Sequence, residues 1–140
     1  MVNIFYEDIE ILDLDPEFFV SWFSKVCDLE NGRLDEINLI FCSDEYLLKI
    51  NIEYLNHNFY TDIITFDNSI DGAAGDLFIS IDRVRDNASA HNVGFENETH
   101  RVALHGLLHI LGYNDKSQIE KATMTTKENI YLDLIVPRET

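Results

Sequence analysis

Two hydrophobic patterns take turns along the chain. "NIFYEDIEI" near the N-terminus alternates in polarity as a strand does. "EINLIFC", "TDIITFD" (61–67) and "GDLFISI" (75–81) are short runs of strand composition, rich in apolar, β-branched and aromatic residues. The last two flank the turn-rich "NSIDGAA", which makes them neighbours in a sheet. Five other segments carry helical spacing. In "DPEFFVSWFSKVCDLENG", Asp15-Pro16 is a good N-cap and N1 pair, and Phe18, Phe19, Trp22, Phe23 and Val26 fall on one face. This predicts an amphipathic helix of about sixteen residues ending at Gly32, its aromatic stripe directed to the core. Ser43 predicts the N-cap of "DEYLLKINIEYLN", with Asp44 and Glu45 in the first turn, where the helix dipole favours acids. "DRVRDNASAHN" predicts a short helix and "ENETHRVALHGLLHILG" a longer one that Gly112 ends. "SQIEKATMTTKENIYLDLI" predicts a C-terminal helix, with Ser117 and Glu120 forming a capping box.

The expected order is β-α-β-α-β-β-α-α-α, with neither repeat nor linker. That is a single α+β domain over residues 1–140, a small mixed sheet with helices packed on it.

The longer of the late helices changes the picture, because it carries "HGLLHILGYND" (105–115). Leu104, Leu107, Leu108 and Leu111 form one stripe, and His105 and His109 lie together on a neighbouring face. A helix so apolar is largely buried, and buried imidazoles need partners. Nitrogens at i and i+4 project toward one point, as in the H-E-x-x-H zinc helices. Gly112 permits a left-handed turn, after which Asp115 can approach the same point. Three protein ligands with an open fourth position describe a catalytic zinc site; the alternative is a core helix with two incidental histidines. Gly106 stands where H-E-x-x-H proteases place their glutamate base, which argues against a conventional metalloprotease. His57, His91 and His100 show no comparable arrangement, His100 points away from the pair, and all three are read as surface or cap residues.

Charge narrows the partners. Ten Lys and Arg against 26 Asp and Glu give a net charge of −16, poorly suited to non-specific capture of nucleic acid. The basic residues concentrate late: Arg83, Arg85, Arg101, Lys116, Lys121 and Lys127 lie in the second half, where a surface tolerant of phosphate is expected. Cys27 and Cys42 are too few for a disulfide framework or a paired-cysteine zinc site and are expected as buried thiols. The acidic start does not have the form of a signal peptide and no run of 18 apolar residues occurs, so a cytoplasmic setting is expected.

The segment "HGLLHILGYND" resembles the H-G-x-L-H-L-x-G-Y-D-H signature of the YbeY family of bacterial zinc-dependent endoribonucleases. "TDIITF" is similar to that family's T-D-V-L-S-F and "GDLFIS" to its G-D-I-x-I-S; with "NIEYLN" the likeness runs from about residue 51 to 115. The resemblance implies one zinc ion per chain held by His105, His109 and Asp115, the last standing where the family has a third histidine. It also implies a metal-dependent, single-strand-specific endoribonuclease acting in 16S rRNA 3′-end maturation and ribosome biogenesis, with RNA and the ribosomal subunit or its associated proteins as partners. Zinc in such a site would lower the pKa of water to about 7 and polarise a phosphoryl oxygen. The general base is not assigned. Asp62 and Asp76, the acids of the matched segments, are candidates to orient a ligand or the substrate, with capping or turn roles as the alternative. The family's arginine after the helix tyrosine is Leu55 here. Arg83, Arg85 or Arg101 could substitute, and Arg101, one turn before His105, could share its face or be a plain surface charge. Two other readings stand beside the nuclease: a ribosome-assembly binding protein with a structural or vestigial zinc site, and a zinc hydrolase of another substrate.

Overall fold

The computed structural model describes residues 1–135. Its elements follow the expected order: β1 (Val2–Tyr6), α1 (Pro16–Leu29), β2 (Leu34–Cys42), α2 (Asp44–Leu55), β3 (Ile63–Asp67), β4 (Ala73–Ser80), α3 (Ile81–His91), α4 (Phe95–Ile110) and α5 (Gln118–Leu132). The four strands form one mixed sheet in the order β1-β2-β4-β3. β1, β2 and β4 run parallel, and β3 pairs antiparallel with β4 across the turn between them.

Strand alternation assigns the two faces. Ile37, Leu39 and Phe41 of β2 and Leu77 and Ile79 of β4 pack with α1 and α4 into the main core, which also takes Phe19, Phe23, Leu104, Leu107 and Leu108. The intervening positions Ile64, Phe66 and Phe78, with Cys42, meet Leu47 and Ile50 of α2 in a smaller cluster. Period two thus covers both sides of the sheet with helices. Both cysteines are free and buried as expected, and burial raises the Cys27 thiol to about 11 and the Cys42 thiol to about 12.

The caps hold where side-chain chemistry set them. Asp15 accepts from the Glu17 amide with Pro16 at N1, Ser43 accepts from the Tyr46 amide, and Ser117 and Glu120 form the capping box. α1 is shorter than expected, 14 residues, because Asn31 rather than Gly32 takes the left-handed conformation, at φ 61°. Ser80 caps α3, so Ile81 begins a helix instead of ending a strand. His100 requires a correction. It is neither a surface nor a cap residue: its ring packs against Phe18, Phe19 and Trp22 at centroid distances of 4.9, 5.8 and 5.7 Å. The aromatic stripe of α1 meets the first half of α4, and burial there lowers the His100 pKa, with Glu96 pulling weakly the other way. His57 and His91 are exposed as expected.

Candidate metal centre

α4 lies on the edge half of the sheet, over β4 and β3. Gly106 fixes how close it comes: a Cβ there would meet Ile63 Cδ1 at 2.7 Å and both Leu77 methyls at 3.0 Å. The residue after the first histidine therefore faces the sheet, and a glutamate at that position would enter the core rather than reach the site. With the leucines turned inward, His105 and His109 come out together at the helix's open flank, ring centroids 4.6 Å apart and nearly perpendicular at 83°. Their side chains are 24% and 26% exposed.

Both imidazoles are fixed in one tautomer by what they donate to. His105 Nδ1 donates to Glu128 Oε2 at 2.7 Å, and His109 Nδ1 donates to the Tyr113 carbonyl at 2.9 Å. Neither acceptor carries a proton to offer, so each Nδ1 holds the hydrogen and each Nε2 presents a lone pair. Those two Nε2 atoms stand 3.0 Å apart. The chain leaves α4 through Gly112 at φ +107°, as its sequence predicted, and the turn returns Asp115 to the same point. Asp115 Oδ2 is 3.1 Å from His105 Nε2 and 3.4 Å from His109 Nε2. Three electron-pair donors this close need a metal ion or a proton among them. Bonds of about 2.0–2.1 Å in a tetrahedron would put zinc ligands about 3.3–3.4 Å apart, close to the spacing seen. The donor set fits such an ion. Among the described residues it is the group of histidines and acids close enough to hold a metal. Burial opposes a charge on His105, but the Glu128 hydrogen bond and charge, then Asp115 and Asp62, outweigh it and raise its pKa.

Glu128 was not foreseen. It lies 23 residues from His105 on α5, only 9% exposed, with one oxygen on His105 and the other accepting from Arg101 Nη1 at 2.8 Å. Arg101 also donates to Asn129 Oδ1 at 2.7 Å. The expected sharing of a face by Arg101 and His105 thus takes a specific form, with both meeting one carboxylate. A second cluster holds the turn that carries Asp115 from behind. Tyr113 donates to Glu30 Oε1 at 2.6 Å, and Tyr131 and Lys127 donate to Glu30 Oε2, Lys127 at 3.1 Å. Burial alone would raise the Glu30 carboxyl, yet these three donors leave it below its ordinary value, while Tyr131 rises to about 12.

Two grooves meet at the donor trio, sharing Asp62, His105 and Asp115. One, about 340 Å³, runs between α3, α4 and α5 past Arg101, Lys121 and Glu128. The other, about 610 Å³, runs over β3 past Leu55, His57, Phe59 and Lys116. Asp62 is held by Asn87 Nδ2 at 3.1 Å. Asp76 is not at the site: it faces the opposite side of the sheet, where Asn38 of β2 donates to it at 2.9 Å. Arg83 is paired with Asp44 and Arg85 lies over the Phe95 ring, and neither lines the two grooves.

Comparison with known proteins gives one family. A model described as "Endoribonuclease YbeY" matches residues 6–135. The chain is 48% identical over 130 residues to the Endoribonuclease YbeY of Flavobacterium johnsoniae, covering 92% of this chain and 93% of that one. It is 47% identical over 134 residues to that of Karelsulcia muelleri, covering 94% of each. Among solved structures it is similar to the solution structure of TM1509 from Thermotoga maritima, with a TM-score of 0.66 and 23% identity over 95% of this chain and 87% of that one, a likeness of fold.

Proposed function

The chain belongs to the endoribonuclease YbeY family, and from that premise we propose that it cleaves single-stranded RNA at one zinc ion held by His105, His109 and Asp115. The family takes part in 16S rRNA maturation, and the proposed substrate is the 3′ end of that RNA within the ribosomal subunit. The observation carrying this reading is the convergence of two tautomer-fixed Nε2 atoms and a carboxylate oxygen where two grooves meet. A closed structural site would offer four protein ligands; three donors beside open grooves suit catalysis.

Zinc bound there supplies a Lewis acid for the phosphoryl oxygen and a nearby water of lowered pKa. The chain's own residues do the rest. Glu128 keeps His105 in the ligating tautomer, and Arg101 keeps Glu128 in place, so Arg101 is a positioning residue acting through that carboxylate. Asp115 brings a negative charge where the family has a neutral histidine, which tempers the metal's acidity. Asp62, held by Asn87 and facing both grooves, is the acid in place to orient the attacking water or accept its proton. The net charge of −16 argues that the RNA arrives in a ribonucleoprotein particle rather than by electrostatic capture. Consistent with a cytoplasmic setting, no helix among the described residues is long and apolar enough to cross a membrane.

The test is cleavage of an RNA carrying the 16S 3′-precursor sequence, single-stranded or annealed to its complement. The zinc-loaded protein should cut the single strand alone, and Asp115→Ala should not cut it. Zinc binding without cleavage would favour the ribosome-assembly binding protein. Cleavage persisting in Asp115→Ala would place the chemistry elsewhere.

A further inference from the structure

The loop between α2 and β3 carries large aromatic side chains into solvent beside the metal centre. Phe59 is 55% exposed, and its ring stacks on that of His57 with centroids 5.1 Å apart and planes within 21°. Exposed rings of this size are costly to hydrate, and a loop free to move would fold them away. This one is held. Asn51, buried at the end of α2, accepts the His57 amide on its carbonyl at 3.0 Å, and its side-chain nitrogen donates to the Phe59 carbonyl at 2.9 Å. One buried asparagine thus fixes the backbone under both rings.

Both rings line the groove that contains His105, His109 and Asp115. Beyond the metal ion, which would take one phosphate, the groove offers a phosphate backbone little: Lys116 is its one lysine, against Asp62, Asp67 and Asp115. The strand on either side of that phosphate needs a hold that does not depend on charge. Nucleobases have one, since every base has a π face and stacks on aromatic side chains whatever its identity.

We propose that the His57–Phe59 pair is a stacking platform for one unpaired base of the RNA, close along the strand to the phosphodiester at the metal centre. The inference rests on the nuclease reading above. Stacking a base on the outer face of Phe59 extends the two-ring stack by a third layer. It also explains a preference for single strands, because a paired base has both faces covered by its neighbours.

The test uses the zinc-loaded full chain and a set of single-stranded oligoribonucleotides, each with one abasic position. Loss of one base stack is worth about 5- to 150-fold in affinity. Phe59→Ala should raise KM on the intact strand by a factor in that range and leave zinc content and melting temperature unchanged, while Phe59→Trp should retain the wild-type KM. An abasic residue at one position near the cut should raise the wild-type KM as much as Phe59→Ala does. In Phe59→Ala that same abasic residue should add nothing. An unchanged KM in Phe59→Ala, or penalties that add at every position, would overturn the platform and leave the nuclease reading standing. A zinc-loaded wild type that cleaves no RNA would overturn the nuclease reading, and the platform with it.

Discussion

Glu128 is the residue whose removal tests most sharply how the site is held. Its two oxygens are both used, one on His105 Nδ1 at 2.7 Å and one on Arg101 Nη1 at 2.8 Å. In Glu128→Ala the His105 ring loses the acceptor that fixes its tautomer and angle. Removing such a partner of a metal-ligating histidine costs about 10–100-fold in metal affinity. That is about 1.4–2.8 kcal/mol. Arg101 keeps Asn129 and is 28% exposed, so water can replace the lost carboxylate. The stability loss of the metal-free protein should therefore sit at the low end of the range for hydrogen bonds to charged groups, about 1.5 kcal/mol. Glu128→Gln retains an amide oxygen for His105 but no charge, and should lose less than tenfold in affinity. Zinc competition against a chromogenic chelator reads the affinity, and urea unfolding of the chelator-treated proteins reads the stability. Wild-type affinity in Glu128→Ala would refute the orienting role. A Gln variant as weak as the Ala variant would show that charge, not the hydrogen bond, is what His105 needs.

Glu30→Ala releases Tyr113, Tyr131 and Lys127 together, and should loosen the turn that delivers Asp115, weakening zinc binding while Tyr113→Phe, losing one of the three donors, weakens it less; the same chelator assay ranks them. Gly106→Ala sets overpacking of about 1–3 kcal/mol against a helix-propensity gain of about 1 kcal/mol. With Ile63 and Leu77 in the way, a net loss of about 1 kcal/mol should appear as a fall of about 3–5 °C in Tm. His100 has a folded pKa below its ordinary 6.5, so the unfolded chain binds its proton more readily and stability is lost as pH falls below that value. His100→Phe should flatten the decline in unfolding free energy between pH 7 and pH 5 relative to wild type, measured with chelator present so that metal release does not contribute. An equally steep decline in the variant would remove His100 from the account.

What could be read from the sequence was local, and what could not was the meeting of distant segments. Asp15-Pro16, Ser43 and the Ser117–Glu120 box act within one turn of their own helix, so their chemistry is visible in a short window. The convergence of His105, His109 and Asp115 was legible for the same reason: i, i+4 spacing, a glycine in the left-handed region and an acid three residues on all lie within eleven residues. Glu128 was not, because nothing in α5 says which turn of α4 it will face. His100 was placed correctly relative to His105 and His109 but not relative to α1, whose aromatic stripe announces a buried face without naming what it packs on. Asp76 belongs to a matched segment, yet strand alternation puts it on the far face of the sheet, and its pairing with Asn38 depends on β4 lying beside β2 rather than on any neighbour in sequence.

A zinc titration of the chelator-stripped protein, with cleavage of an end-labelled single-stranded RNA as the readout, tests the metal and the reaction at once. Activity should be absent at the start, rise linearly with added zinc and level off at about one equivalent per chain, as a single site of three protein ligands requires. Asp115→Ala should stay inactive through the same range. Cleavage that needs no zinc, or that returns in Asp115→Ala at one equivalent, would contradict zinc-dependent cleavage at this site.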